Sequence, residues 1–260
     1  MTTELIPLLL AMFSGGVVAL LLTLFGGGGS VLAVPLLLYV VGVTDPHVAI
    51  GVSAAGLALN ALTALAGHTR AGRVRWPCAS LFAVSGAAGA WLGSSLAKRI
   101  DGDQLLLLFA VAMAAVGIAM LRSRPVVDRP EPRLSWAIAP RLGLTGAGVG
   151  TAAGFFGIGG GFLIVPGLMT ATGMGLATAQ ATSLLSVAAF GATTAGNYAL
   201  SGWVDPALVA AMAVGGVAGT AAGLPVARRL GANAALGRIL FAGLILIVAA
   251  YVAVRAMIAL

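Results

Sequence analysis

Two glycine-rich stretches are where this chain could do chemistry: FGGGGSVLAVP at residues 25–35 and FGIGGGFLIVP at residues 156–166. Glycine is a poor helix residue, about 1 kcal/mol worse than alanine in a helix interior. Runs of it inside an apolar sequence mark places where the backbone departs from a regular helix. A helix that restarts after such a break has free N–H groups and a partial positive charge at its N-terminus, which suits an anion. On this reading Gly28, Gly29 and Ser30 open one half-helix, and Gly159, Gly160 and Gly161 open another. The competing reading is packing, because glycine also lets transmembrane helices approach closely. Pro35 and Pro166, which follow the glycines, suit a distorted helix. No Gly-Lys-Ser/Thr follows either stretch, which rules out a nucleotide-type phosphate loop.

Side chains that could complete an anion site are few and uncharged. Ser53, Thr182 and Ser183 lie at matching distances after the two stretches. Their hydroxyls could donate to an oxyanion, or bond back to their own helix. Asn60, Gln180 and Asn197 are amides within apolar segments, where an amide must face a partner helix or a cavity. They are candidates for ligand contact or for interhelical hydrogen bonds. His47 and His68 are the only histidines and lie near segment ends. They are the proton-coupling candidates, since histidine titrates near neutral pH. Asp45 and Asp205 each precede a proline, the pattern of a helix N-cap. No Ser/His or carboxylate pair lies within a segment and no HExxH occurs, so the sequence is not read as an enzyme. Cys78 is the only cysteine, which excludes an intrachain disulfide and a Cys-rich metal site. No cofactor or metal is implied.

The elements that position these residues are membrane spans. The chain has 260 residues, 60% hydrophobic and 8% charged, with mean hydropathy +1.08. That is too little polar surface for a water-facing globule. About 20 apolar residues cross a bilayer core as a helix. Segments on that ruler fall near 5–24, 31–43, 48–67, 76–97 and 104–121, and again near 135–155, 162–172, 177–199, 206–227 and 233–254. The reading is an all-α polytopic membrane protein of about 8–10 hydrophobic segments. The net charge of +7 sits in short loops and reads as a topology signal rather than nucleic-acid binding.

The two sets of segments are copies. The glycine motifs are identical at seven of eleven positions. Beyond them AIGVS (49–53) matches AQATS (179–183), and GAAGAWLGSSLAKRI (86–100) matches the stretch ending in VARRL (216–230). The division is an N-terminal membrane repeat (1–121), a polar linker (122–134) and a C-terminal membrane repeat (135–260). Basic residues cluster at Arg70, Arg73 and Arg75 and in the linker, while the loop 200–205 has none. That bias implies inverted repeats with both termini outside, with a parallel repeat of four spans as the alternative. The short second segment of each copy reads as a broken or re-entrant helix, followed by spanning helices. The stretches 86–93 and 215–223, with Gly89/Gly93 and Gly219/Gly223 four residues apart, read as close helix packing.

The doubled glycine motif, the following GVS and ATS, and the loop AGRV (71–74) matched by SGWV (201–204) resemble the sulfite exporter TauE/SafE family of anion permeases over about residues 8 to 252. The resemblance implies a transporter of sulfite, sulfonates or related small organic anions in a bacterial inner membrane. The copies differ at Gly27 against Ile158, Ser30 against Gly161 and Val52 against Thr182, so the two half-sites are chemically unlike. Together these features imply a secondary transporter that binds its anion near the bilayer midplane between the two half-helix N-termini. A passive anion channel, or a permease for a non-sulfur anion, is the alternative. The lipid bilayer is the surrounding partner. The sequence leaves open a coupling ion, H⁺ or Na⁺, and a second copy of the chain as a homodimer.

Overall fold

The computed structural model describes residues 2–70, 72, 74–122, 138–157, 159, 161–230 and 234–259, and every regular element among them is helical. Helix α1 spans Thr2–Phe25. A 3₁₀ segment, Gly26–Leu32, then leads into α2, Ala33–Leu36, and a π-turn, Leu37–Val41. Helices α3 (Pro46–Arg70), α4 (Trp76–Ala97) and α5 (Gly102–Arg122) follow. After the polar linker come α6 (Ala139–Phe156), the short α7 (Gly161–Thr172) and α8 (Leu176–Ala199). The last two are α9 (Pro206–Leu230) and α10 (Ala234–Ala259).

Among the described residues five helices are long and apolar enough to cross a membrane, within α1, α3, α4, α5 and α9. The protein is therefore a multi-pass membrane protein. The linker lies outside the described residues except for Arg122, which ends α5. Arg228 and Arg229 also fall inside a helix, because α9 runs to Leu230 rather than stopping at 227.

The first glycine stretch differs from the expected break. Its backbone stays helical, but in tighter 3₁₀ and then looser π form, instead of restarting as an α-helix at residue 31. Four glycines without Cβ atoms permit the tight turns. Pro35 has no N–H to donate to the preceding turn, which loosens the ladder beyond it. The chain nonetheless reverses here. A Cβ on Gly29 would strike the backbone nitrogen of Leu22, although a straight α-helix would carry residue 29 about 10 Å past residue 22. The second stretch is a true break. Gly157 ends α6 in the left-handed conformation, φ +65°, and Gly159 has φ +59°.

Helix pairing is set by glycine. Helix α1 packs along α9, where Cβ atoms on Gly15, Gly215 and Gly219 would meet backbone of Met212, Met12 and Gly16 respectively. Helix α4 packs along α6 in the same way: Gly89 meets Ala147, Gly93 meets Thr151, Gly150 meets Gly86 and Gly154 meets Ala90. Residue numbers rise together in both pairs, so each runs parallel. Helices α3 and α8 cross antiparallel, with Gly51 against Tyr198 and Ala58 against Gly191. Helix α3 is the most buried of the candidate spans, 72% inside the protein against 28–44% for the others. One packed core gathers α1, α3, α5, α9 and α10 around Leu37, Leu57, Phe109 and Met212. A second gathers α4, α6, α7 and α8 around Phe82, Ile164, Leu168 and Phe190.

Lipid supplies no hydrophobic force between helices, so this close approach carries the packing. Gly150→Ala should push a methyl into the Gly86 carbonyl and destabilise the protein by about 1–3 kcal/mol. Gly148→Ala, whose methyl would meet nothing within 4 Å, should leave stability unchanged or improve it. Thermal melting in detergent checks the pair.

Candidate functional site

One face of α3 lies against the second glycine break. The Ser53 hydroxyl donates to the Ile50 carbonyl at 2.9 Å and to the Gly157 carbonyl at 3.2 Å. One turn on, Leu57 Cδ1 would lie 3.7 Å from a methyl on Gly159. Residues 53, 57 and 60 form one stripe, because positions four and seven apart share a helix face. Asn60, the third member, is 1% exposed, and neither its Nδ2 nor its Oδ1 has a hydrogen-bond partner. Its amide sits against α9, where a Cβ on Gly216 would strike Oδ1. Gly161, also buried, begins α7 just past the break. The 3₁₀ segment containing Gly28, Gly29 and Ser30 packs against α7 and α8, so the two glycine stretches meet inside the bundle. Gly29 and Ser30 are buried there. Gly160 lies outside the described residues.

The other hydroxyls sit at a different depth. Thr182 is buried and accepts a hydrogen bond from the Arg75 backbone N–H at 3.2 Å. Ser183 donates to the Gln180 carbonyl at 2.8 Å, within its own helix. Gln180 is half-buried near the start of α8. The antiparallel register puts Ser53 level with residue 196 of α8, 14 residues from Thr182. That is about 20 Å along the helix. Ser53 and Thr182 therefore do not face one pocket, while Asn60 lies between their levels.

Asn197 is occupied as an interhelical lock. Its Nδ2 donates to Ser94 Oγ at 2.6 Å, Ser95 Oγ at 2.9 Å and the Trp91 carbonyl at 3.2 Å. Its Oδ1 accepts from Lys98 Nζ at 2.7 Å. Lys98 also reaches the Asn197 carbonyl and Ser201 Oγ, each at 3.0 Å. No local pattern around Asn197 points to Lys98, which is 99 residues away. His47 and His68 lie at opposite ends of α3, about 31 Å apart along the axis. His47 stacks on Trp203 with ring centroids 4.6 Å apart and an interplanar angle of 15°, and its buried Nδ1 has no partner. Asp45 accepts from the His47 N–H at 2.8 Å, and Asp205 from the Ala207 N–H at 2.8 Å. These are the N-caps of α3 and α9. Among the described residues no group of three His, Cys, Asp or Glu could hold a metal.

A sequence profile of the family described as "Sulfite exporter TauE/SafE" matches residues 11–252. The chain belongs to the TauE/SafE family. This family comprises membrane transporters, not enzymes. The chain is 46% identical over 250 residues to a "Probable membrane transporter protein" of Xylella fastidiosa (strain Temecula1), covering 94% of each. A protein of Bacillus subtilis (strain 168), "Probable membrane transporter protein YdhB", is 25% identical over 222 residues, covering 83% of this chain and 87% of that one. No solved structure matches the chain.

The Asn197 lock generates a stability prediction. Asn197→Leu removes the side-chain bonds to Ser94, Ser95, the Trp91 carbonyl and Lys98, and should cost about 1–2 kcal/mol. A fall in melting temperature with substrate affinity retained is the expected result.

Proposed function

We propose that this protein is a secondary transporter of small anions in the bacterial inner membrane. Its substrates are sulfite, sulfonates and related organosulfur anions, bound near the midplane and moved by alternating access. The observation that carries the reading is the Asn60 amide, fully buried yet unpartnered. An unsatisfied amide costs about 1–3 kcal/mol, so a protein keeps one where something polar comes to bind. An anion beside Asn60 would accept from Nδ2, and the start of α7 at Gly161 would face the same space with free N–H groups. The substrate class comes from the family description, and the bacterial inner membrane from the relatives' sources and the all-helical spans.

Contact registers support inverted halves. Helices α3 and α8 align with each other in the doubled sequence and run antiparallel, as an in-plane two-fold requires. The α1/α9 and α4/α6 pairs exchange under the same operation: Gly219 meets Gly16 as Gly89 meets Ala147. The copies differ at the midplane. Gly86 faces Phe190, whereas its counterpart Gly216 faces Asn60. Phe190 stacks with Phe82 at 6.1 Å, so one side is dry and the other polar. Proton coupling, where it operates, runs through His47.

Currents on solid-supported membranes after jumps of sulfite, thiosulfate, a two-carbon sulfonate, acetate and chloride test the reading, with tracer uptake run alongside for electroneutral exchange. Saturable responses to the sulfur anions are expected. Asn60→Leu should lose at least about tenfold in uptake while its melting temperature holds or rises, because a buried unpaired group has been removed. Wild-type uptake in that variant would exclude Asn60 from the path. Currents that persist without any coupling gradient would mark a channel. His47→Gln should abolish acceleration by a pH gradient yet leave exchange between equal anion pools intact.

A further inference from the structure

A cavity of about 540 Å³ opens where three element ends meet. Its wall includes Leu38, Tyr39, Thr44, Asp103, Arg255 and Ile258. Thr44 is in the turn before α3, Asp103 is in the first turn of α5, and Arg255 is in the last turns of α10. The cavity is therefore at the rim of the bundle, the depth of the membrane–water interface. Its flank is apolar and open: Val254 is 53% exposed, Met257 64% and Ile258 77%. That is a face turned to lipid.

The two charges in this wall do not pair. Among the described residues no ion pair involves Asp103 or Arg255. The hydrogen bond at Asp103 uses its backbone N–H, which donates to Asp101 Oδ1 at 3.0 Å, and leaves its carboxylate free. The Arg255 guanidinium lies 5.8 Å from the Tyr39 ring centroid. Tyr39 is itself held edge-on by Tyr251, with centroids 5.0 Å apart and planes at 82°. A cation and an anion on one small cavity, each without a counter-ion, call for a ligand that carries both signs. The volume is in the range of small-ligand sites.

We infer that this cavity binds the headgroup of an aminophospholipid, with its phosphate on Arg255 and its primary ammonium on Asp103. Guanidinium recognises phosphate through directed N–H bonds, and a carboxylate accepts from a primary ammonium. A choline headgroup has no N–H to give, and a glycerol headgroup has no cation. The acyl chains leave along Val254, Met257 and Ile258 into the bilayer. Pro46, the first residue of α3, also lines the cavity, so the lipid braces the end of the central helix. The shared chemistry, a phosphate with a primary ammonium, also exists in free phosphoethanolamine, and the test separates the two sources.

The experiment is native mass spectrometry of the purified full chain, titrated with phosphatidylethanolamine, phosphatidylcholine and phosphatidylglycerol of matched acyl chains. Soluble phosphoethanolamine serves as competitor. Phosphatidylethanolamine should bind about tenfold tighter than the other two. Asp103→Asn should remove that preference, Arg255→Gln should weaken the binding of all three lipids together, and Arg255→Lys should keep most of the binding. Melting curves establish that each variant is folded, and the exposed position of Arg255 makes its variants safe in that respect. Equal binding of all three lipids by wild type, an unchanged preference in Asp103→Asn, or undiminished lipid binding in Arg255→Gln, would overturn the assignment. Competition by soluble phosphoethanolamine as effective as the lipid would overturn the lipid as ligand.

Discussion

Backbone N–H and C=O groups have no water to bond inside a bilayer, so irregular chain must be enclosed by protein. The rest of this structure follows from that constraint. Gly26–Leu32 and the Gly157–Gly161 break both lie within the bundle, and each needs helices pressed close around it. The close approach comes from two glycine-lined pairs, α1 with α9 and α4 with α6, whose backbones touch where a methyl would not fit. Ser53 closes the arrangement with a hydroxyl that donates to the Gly157 carbonyl as well as to the Ile50 carbonyl of its own helix.

Function then follows from what the enclosure leaves unsatisfied. Some buried polar side chains have local partners: Ser183 on Gln180, Thr172 on Leu168 and Ser94 on Trp91. Asn197 is saturated by α4. The hydroxyls of Ser14, Ser186, Thr194 and Tyr198 are also without partners, but Asn60 is an amide with both donor and acceptor unmet, set against Gly216. The sequence-related position across the bundle holds Phe190, which packs on Phe82. On the proposed function, a bundle with one polar and one aromatic side gives an anion one place to stop rather than two.

Much of this was legible in the sequence. Span positions followed from apolar run length, and the caps at Asp45 and Asp205 followed from the Asp-Pro pairs. The small-residue spacing of Gly89/Gly93 and Gly219/Gly223 marked real helix contacts. The glycine motifs announced chain reversals, but not that the first would pass through 3₁₀ and π turns. That choice depends on how tightly the turns can pack against Leu21 and Leu22, which no local pattern encodes. Long-range partners were likewise hidden. Ser53 meets Gly157, Asn197 meets Lys98 and His47 stacks on Trp203, all across more than ninety residues of sequence. Ser53, Thr182 and Ser183 follow the two glycine stretches at matching distances and suggested a shared pocket, whereas the antiparallel crossing of α3 and α8 sets Ser53 and Thr182 at different depths.

The central claim is that a path for anions passes Asn60. Cys78 is the only cysteine, so a Cys78→Ser background allows Asn60→Cys to be the single thiol, reconstituted in liposomes. The most direct measurement is its labelling by a membrane-impermeant maleimide applied from each side in turn, with and without a two-carbon sulfonate or another anion that the variant transports. The account expects labelling from both sides, slowed by the transported anion and not by chloride. A thiol that stays unreactive from both sides while the protein still transports would contradict it.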